Sequence, residues 1–316
     1  MNEYQRYLLE EFADEYQENA MSRRDLLRRA FLIMGSVPAG LAALAAVGCG
    51  GDDSAAEIAE ATKTPPPASP TAAPSPAATT TGASPTAAAG SPTATDVRFP
   101  GPGSELLGYL ARPSGTGPFP GILIIHENRG LNDHTKDVAR RYAKEGFVAL
   151  AIDLVSRAGG SKSDLAANTG ALGSARIEDL VADTVAYTAY LQKVEGVRPG
   201  GVGVTGFCFG GGYAFEAAIA SPEVKAAVPY YGTCRLIDQL ATTKAAVLAI
   251  YGALDNRVTG QSERVKAELA RTGRPFEVKV YDGANHAFFN DTGTSYNAAA
   301  AAEAWTKTLA WFRANV

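Results

Sequence analysis

The stretch VGVTGFCFGGGYAFEAA, residues 202–218, constrains the fold of this chain more than any other. An apolar run typical of a buried β-strand enters a glycine-rich bend and continues as a helix-like segment. Gly206, Gly210 and Gly211 suit a sharp strand-to-helix turn, which forces unusual backbone angles and brings helix and strand close together. Cys208 stands at the centre of the bend, in the G-x-C-x-G-G pattern of a nucleophile elbow. The bend therefore predicts a strand–turn–helix unit that presents Cys208 as a candidate nucleophile.

Short apolar runs alternate with amphipathic segments over residues 96–316. This alternation is typical of an α/β fold with a mostly parallel, doubly wound sheet flanked by helices. We expect a single catalytic domain over these residues. The predicted strands are 107–112, 122–126, 148–152, 202–205, 226–230, 246–251 and 277–281, and the clearest predicted helices are 135–145, 177–193, 211–220, 261–271 and 297–312.

Reactive side chains follow four of the predicted strands. In a parallel sheet the functional loops lie at the carboxyl ends of the strands. Those ends carry Glu127, Cys208, Asp255 and His286. Singly, the last three have plainer interpretations: a buried thiol, a turn-forming aspartate and a loop histidine. Cysteine, acid and histidine nevertheless follow one another in the chain order of the α/β-hydrolase triad, so we favour a catalytic triad.

Five motifs make the folded part resemble the dienelactone hydrolase (carboxymethylenebutenolidase) family of α/β-hydrolases. They are HENRGLN, GFCFGGG, YYG at 230–232, GALDNRV and GANHAFF, and the resemblance extends over nearly all of residues 96–316. The resemblance implies Cys208 as nucleophile, His286 as base and Asp255 as the partner that orients the base. It also implies that the Glu127 carboxylate contacts Cys208 in the resting enzyme. The plainer interpretation of Glu127 is a loop-capping carboxylate.

The sequence departs from this family where the substrate is held. Enzymes of the family that act on dienelactone use two arginines for the substrate carboxylate, one of them four residues after the histidine, where this chain has Asn290. Arg129, Arg157 and Arg235 lie on loops that could approach the pocket, and Arg157 and Tyr231 are the candidate substrate-binding residues. We therefore expect a small-molecule ester or lactone as substrate, with dienelactone itself not favoured.

The expected chemistry runs through a thiolate. A thiol at the N-terminus of a helix and beside an imidazolium is stabilised as the thiolate. The amide N–H of Phe209 and one near Asn128 would hold the oxyanion. Because a thiolate leaves more readily than most alkoxides, activated esters and enol lactones are favoured over alkyl esters and amides. Two alternatives stay open: an acyltransferase or thioesterase using the same thioester, and a non-catalytic surface binding domain.

Metals, nucleotide cofactors and nucleic acids are not expected partners. The sequence shows no metal-ligand cluster, and GFCFGGG lacks both the phosphate-binding lysine and the G-x-G-x-x-G spacing. The formal net charge is -4 and the clustered arginines lie at the N-terminus, whereas a nucleic-acid footprint is basic. Three cysteines are too few for a disulfide scaffold, and Cys234 is most simply a buried thiol.

Residues 1–48 are predicted to be an export signal. Arg23 and Arg24 precede an uncharged run over 30–48, which resembles a twin-arginine signal. The run ends in AVGC, which resembles a lipobox and predicts a lipid on Cys49. The plainer alternative is ordinary cleavage beside an incidental cysteine. We expect the protein in the cell envelope, anchored by this lipid to the outer side of the cytoplasmic membrane.

Residues 49–95 are predicted to be a disordered tether. From residue 52 to 95 the sequence is mainly Ala, Thr, Pro and Ser, with no aromatic side chain. Such a segment cannot bury enough apolar surface to offset the entropy of ordering it. Polyproline-like chain rises about 3.1 Å per residue, so the tether would reach on the order of 100 Å.

Overall fold

The computed structural model describes residues 1, 3–17, 22–46 and 91–316. These residues form one eight-stranded sheet flanked by helices, with a further group of helices from the N-terminal part packed beside it. The mostly parallel α/β sheet predicted from the sequence is confirmed.

The sheet has the strand order β1-β2-β4-β3-β5-β6-β7-β8. β1 pairs antiparallel with β2 and β2 with β4, and the remaining neighbours are parallel. The strand that leads to Cys208, β5, therefore lies between two parallel neighbours in the interior of the sheet. The strands are β1 (Thr93–Pro100), β2 (Glu105–Arg112), β3 (Phe119–Ile125), β4 (Val148–Asp153), β5 (Val197–Phe207), β6 (Val224–Tyr230), β7 (Ala246–Gly252) and β8 (Phe276–Tyr281).

Central strands of this sheet are apolar at nearly every position, without alternation. β4 and β7 are buried along their whole length. Strands covered by helices on both faces need apolar side chains on both faces, which explains the continuous runs VALAI and AVLAIY. β1 is different, since it is an edge strand with mostly exposed side chains. It begins at Thr93, so the sheet takes in the last residues of the expected tether.

The helices of the described residues are α1 (Glu3–Gln17), α2 (Arg23–Met34), α3 (Val37–Ala46), α4 (Asp133–Lys144), α5 (Leu165–Ser174), α6 (Ile177–Gln192), α7 (Phe209–Ala220), α8 (Asn256–Thr259), α9 (Ser262–Ala270) and α10 (Ala298–Asn315). Side chains cap several of them. Asn132, Asp164 and Asn297 accept backbone N–H groups at the starts of α4, α5 and α10. These caps satisfy amides that have no partner inside the helix.

Helices α1 to α3, residues 3–46, form what we call the N-terminal segment. α1 and α2 both contact α5, which belongs to the domain that contains the sheet. Leu8, Leu9 and Phe12 of α1 are fully buried. The residues expected to form an export signal therefore pack on this domain in the structure.

Membrane-span criteria are met by a bent helix pair in this segment. Within the described ranges no single helix is long and apolar enough to cross a membrane, but Arg23–Met34 and Pro38–Ala46, bent by 109°, satisfy the length and composition test together.

Candidate active site

The residues predicted to form the triad lie around one cavity of about 370 Å³ at the carboxyl ends of the strands. Glu127 follows β3, Cys208 follows β5, Asp255 follows β7 and His286 follows β8, and all four line this cavity. The loops that lead from parallel strands thus converge as the predicted topology requires.

Cys208 occupies a strained turn between β5 and α7. Its φ is 55° and its ψ is -115°, in a region that residues with a side chain rarely adopt. The turn is held by its own amide, which donates to Tyr230 O over 3.0 Å. Cys208 caps α7, so its thiol lies at the positive end of the helix dipole, which favours a thiolate. The side chain is 2 % exposed and faces the cavity.

The glycines of the elbow are required by close backbone contacts. A Cβ at Gly206 would lie 2.0 Å from Gly210 O, and one at Gly210 would lie 2.4 Å from Ile125 O. A Cβ at Gly211 would lie 2.4 Å from Tyr230 O. Any larger residue at these three positions would separate α7 from the sheet, so the glycines fix the position of Cys208 relative to β3 and β6.

Asp255 and His286 form a short, buried pair. Asp255 Oδ2 lies 2.6 Å from His286 Nδ1, and Asp255 Oδ1 accepts the Val258 amide over 3.2 Å. A ring nitrogen of His286 lies within 4.8 Å of Cys208 Sγ. Because Nδ1 is engaged by Asp255, Nε2 is the nitrogen left to exchange a proton with the thiol. Acid, base and nucleophile therefore stand in the order that triad chemistry needs.

The two members of this pair shift each other's pKa in opposite directions. Burial alone would lower the pKa of His286, but the Asp255 charge and hydrogen bond outweigh burial and raise it above the ordinary value. Arg257 opposes this rise and Glu11 adds to it. Burial alone would raise the pKa of Asp255, but the facing His286 charge and hydrogen bond lower it. Asp255 is thus held as a carboxylate that orients and stabilises a protonated His286.

Glu127 lines the cavity and is engaged by Asn290. The Asn290 side-chain amide donates to Glu127 Oε2 over 2.9 Å. Asn290, the residue four positions after His286, therefore has its side-chain amide engaged by a carboxylate of the pocket wall. Glu127 and Cys208 line the same cavity, and the expected contact of Glu127 with the resting thiol stays a prediction.

Glu11 is a site residue that the sequence did not indicate. Its carboxylate Oε1 accepts from Cys208 Sγ over 3.0 Å and from Asn128 Nδ2 over 2.9 Å. Glu11 is 4 % exposed and lines the cavity from α1. It lies 197 positions before Cys208 in the chain, within a segment whose sequence indicates export. No local pattern could have connected the two residues.

The expected oxyanion donors flank the nucleophile. Phe209 is the first residue of α7, so its amide points out of the helix N-terminus beside Cys208. Asn128 lines the cavity from the loop after β3. The role of both residues as oxyanion donors stays a prediction.

Neither candidate substrate-binding residue lines the cavity. Arg157 forms a two-pronged ion pair with Asp183, with Nε–Oδ2 at 2.7 Å and Nη2–Oδ1 at 2.9 Å, against α6. Tyr231 is fully buried behind the His286 ring, with the ring centroids 5.1 Å apart. Tyr231 thus packs against the base. The expectation that Arg157 and Tyr231 bind substrate is therefore corrected. The sequence could not show this, because it does not indicate which loop arginine is engaged by an acid.

Three further arginines, Arg129, Arg235 and Arg257, differ from Arg157 in their positions. Arg129 and Arg257 line the cavity, and Arg257 was not singled out from the sequence. Arg235 forms a buried two-pronged ion pair with Glu216, with both distances at 2.7 Å. Arg129 and Arg257 are therefore the arginines among the described residues that line this cavity.

The two remaining cysteines are Cys234 and Cys49. Cys234 is a free, buried thiol, and burial raises its pKa to about 12. It is therefore a poor nucleophile at neutral pH. Cys49, the predicted lipid site, lies outside the described residues.

A metal could be held at the nucleophile. One donor atom each from Glu11, Cys208 and His286 lie within 4.8 Å of one another. Carboxylate, thiolate and imidazole are ligands that zinc accepts. The expectation of no metal stays a prediction.

Comparison with known proteins covers the catalytic part of the chain. The sequence profile of the Dienelactone hydrolase family matches residues 106–316. The chain belongs to the dienelactone hydrolase family. It is therefore a hydrolase of the ester or lactone type, with the α/β-hydrolase fold.

Two relatives and one solved structure that this dienelactone hydrolase family member resembles are each covered over 90% or more of their own length. A carboxymethylenebutenolidase homologue of Synechocystis sp. is 31% identical over 239 residues, which are 69% of this chain and 96% of the relative. A Bradyrhizobium sp. protein named as a probable 2-oxo-3-(5-oxofuran-2-ylidene)propanoate lactonase is 32% identical, over 67% of this chain and 90% of its own. A dienelactone hydrolase homologue of Klebsiella pneumoniae subsp. pneumoniae has a solved structure with a TM-score of 0.65 and 28% identity, covering 71% of this chain and 99% of its own.

Proposed function

We propose that this enzyme cleaves activated esters and enol lactones through a thioester on Cys208, with His286 as base and Asp255 as its orienting acid. The observation that carries this proposal is the position of Cys208. It stands in a strained elbow at the N-terminus of α7, with the Asp255–His286 pair facing it across one cavity. A structural thiol such as Cys234 needs none of these features.

The proposed reaction has two halves. His286 accepts the thiol proton, and Cys208 Sγ forms a bond to the substrate carbonyl carbon while the carbonyl electrons move onto oxygen. The oxyanion collapses, the ester C–O bond breaks, and His286 returns the proton to the leaving oxygen. Water then loses a proton to His286 and attacks the thioester, which releases the carboxylic acid product and regenerates the thiol.

Leaving-group ability sets the preferred substrate class. The tetrahedral intermediate can expel either thiolate or the substrate oxygen, and thiolate is the better leaving group against an ordinary alkoxide. An enolate or phenolate competes with it effectively. The related Bradyrhizobium sp. protein is named for the hydrolysis of a lactone whose ring oxygen would leave as an enolate, which supports the same class here.

Activity profiling tests this proposal. Wild-type enzyme and Cys208→Ala are compared on p-nitrophenyl esters, enol lactones, alkyl esters and thioesters, with Cys234→Ala as the matched control for loss of a thiol. We expect hydrolysis of the first two classes by wild type and Cys234→Ala only. Transfer of the acyl group to an added alcohol in preference to water would favour an acyltransferase instead, and equal rates for Cys208→Ala would reject the mechanism.

We also propose that the chain is exported by a twin-arginine route and anchored through Cys49 at the outer side of the cytoplasmic membrane. Arg23 and Arg24 are exposed at the start of α2, where a targeting receptor has access to them. Replacing both with lysine is expected to block export, and Cys49→Ser is expected to yield protein free of the membrane. Membrane-bound Cys49→Ser protein in cell fractionation would reject the lipid anchor, and normal export of the lysine variant would reject the route.

A further inference from the structure

The N-terminal segment places a carboxylate against the nucleophile. One oxygen of Glu11 accepts hydrogen bonds from Cys208 Sγ and from the Asn128 side chain, at 3.0 and 2.9 Å. Glu11 is 96 % buried in this position, since its exposure is 4 %. A substrate carbonyl would have to approach the same sulfur and the same loop. Glu11 and a substrate are therefore competitors for one position.

A groove on α5 carries the helix that bears Glu11. Gly173 and Gly170 of α5 leave room for apolar side chains of the segment. A Cβ at Gly173 would lie 3.2 Å from Leu8 Cδ1, and a Cβ at Gly170 would lie 3.3 Å from Leu32 Cβ. Small residues on α5 thus let α1 and α2 approach closely, and Leu8 is fully buried there.

An ion pair fixes the orientation of the segment on this groove. Arg28 Nη2 of α2 lies 3.0 Å from Asp164 Oδ2, and Asp164 is the residue that caps α5. Apolar side chains along α5, an ion pair at its start and a carboxylate at the catalytic cavity together define one docked position.

We propose that the α5 groove and the mouth of the cavity form a docking surface for the chain's own N-terminal segment, and that docking keeps the enzyme latent until the segment leaves. This proposal rests on the proposed function in taking Cys208 as the nucleophile. Residues 47–90 separate the segment from the domain in the sequence.

Latency of this kind suits an enzyme that folds before export. The folded domain would carry its own blocking group across the membrane, and loss of residues 1–48 would expose Cys208 on the far side. The export signal and the blocking group are then parts of one segment, so that the enzyme becomes active only after export.

Variants on the two sides of the contact test the surface in the full-length protein. Glu11→Ala removes the carboxylate, and Gly173→Met fills the groove under Leu8 without altering a residue of the cavity. We expect either change to raise kcat/KM for p-nitrophenyl acetate by about tenfold or more, which corresponds to about 1.4 kcal/mol. Glu10→Gln is the matched control, because Glu10 lies on the same helix and pairs with Arg6. Its kcat/KM is expected to equal that of wild type.

A second measurement is independent of substrate choice. Iodoacetamide labelling of Cys208, located by mass spectrometry, is expected to be faster in Glu11→Ala and Gly173→Met than in wild type and Glu10→Gln. EDTA in every assay prevents zinc held by Glu11, Cys208 and His286 from mimicking latency.

The outcomes separate the two proposals. Faster labelling without hydrolysis in any variant would support the docking surface and count against the hydrolase mechanism. If wild type and all three variants hydrolyse the ester at the same rate and are labelled at the same rate, the docking surface is rejected and the hydrolase mechanism is still supported. Faster hydrolysis together with faster labelling in Glu11→Ala and Gly173→Met, with Glu10→Gln equal to wild type in both, would support both.

Discussion

At the elbow beneath Cys208, backbone atoms touch backbone atoms, whereas α1 is held over the cavity by side chains. A Cβ at Gly206 would lie 2.0 Å from a carbonyl oxygen of α7, and the sheet and helix there share no spare volume. On α5, a Cβ at Gly173 would lie 3.2 Å from Leu8 Cδ1 of α1. The elbow therefore cannot move without loss of the fold, whereas the proposed latency requires α1 to leave as a unit.

The largest effect should come from the fixed part. Cys208→Ala is expected to lower kcat by at least about a thousandfold, since the covalent step is lost while binding contacts remain. Its thermal midpoint should stay near that of wild type, because thiol and methyl groups are similar in size. Steady-state kinetics and calorimetry check this, with Cys234→Ala as the control that loses a thiol outside the cavity. Retained esterase activity would contradict it.

The elbow's close packing predicts the next largest effect. Gly206→Ala is expected to destabilise the fold by at least about 3 kcal/mol, because the new methyl must displace the Gly210 carbonyl. Gly293→Ala is the control, since its Cβ would meet nothing nearer than 3.5 Å. Chemical denaturation gives both values. Similar midpoints for the two variants would show that the elbow is less rigid than the contacts indicate.

Opposite charges near His286 predict opposite shifts of the acid limb of kcat/KM. Burial lowers the pKa of His286, Asp255 raises it above the ordinary value, Arg257 lowers it and Glu11 raises it. The protonated ring cannot accept the thiol proton, so activity falls as pH drops through this raised pKa. Glu11→Gln should therefore move the limb to lower pH, and Arg257→Gln should move it to higher pH.

A pH–rate profile of each variant measures these shifts. Glu10→Gln is the control for a loss of charge on α1 outside the cavity, and its limb should coincide with that of wild type. Shifts of the same sign in Glu11→Gln and Arg257→Gln would show that packing, and not charge, governs the titration of His286.

The smallest effect is expected from the residues that connect the N-terminal segment to the domain. Deleting residues 52–90 should change the thermal midpoint by less than about 2 °C, because a segment poor in large apolar residues contributes little buried surface. Calorimetry of the deletion variant checks this. A fall of many degrees would mean that the segment packs on the domain.

The parts of the fold that follow from local pattern could be predicted from the sequence. The parallel strands β3 to β8 were each anticipated within a few residues, since continuous apolar runs have few other uses. β1 was missed because TATDVRFP is an exposed edge strand without an apolar run. α5 was missed because LAANTGALGS contains glycine and asparagine and has no clear apolar face.

Site residues divide in the same way. Cys208, Asp255 and His286 follow strands, and the sheet brings strand ends together whatever the loops do. Glu11 depends on a contact across 197 positions of chain, which no spacing rule encodes. The engagement of Arg157 by Asp183 is equally invisible in sequence, because it depends on how α6 packs.

The strand order also determines how the domain responds to mechanical load. A pull through residue 92 acts first on Thr93, which pairs with Arg112 at the open end of the β1–β2 hairpin. The pairs of this hairpin then open one after another, because each carries the force in turn. β2, β4 and β3 lie between β1 and β5 in the sheet. Force transmitted along the chain from that side therefore peels an edge strand long before it strains the strand that carries the nucleophile.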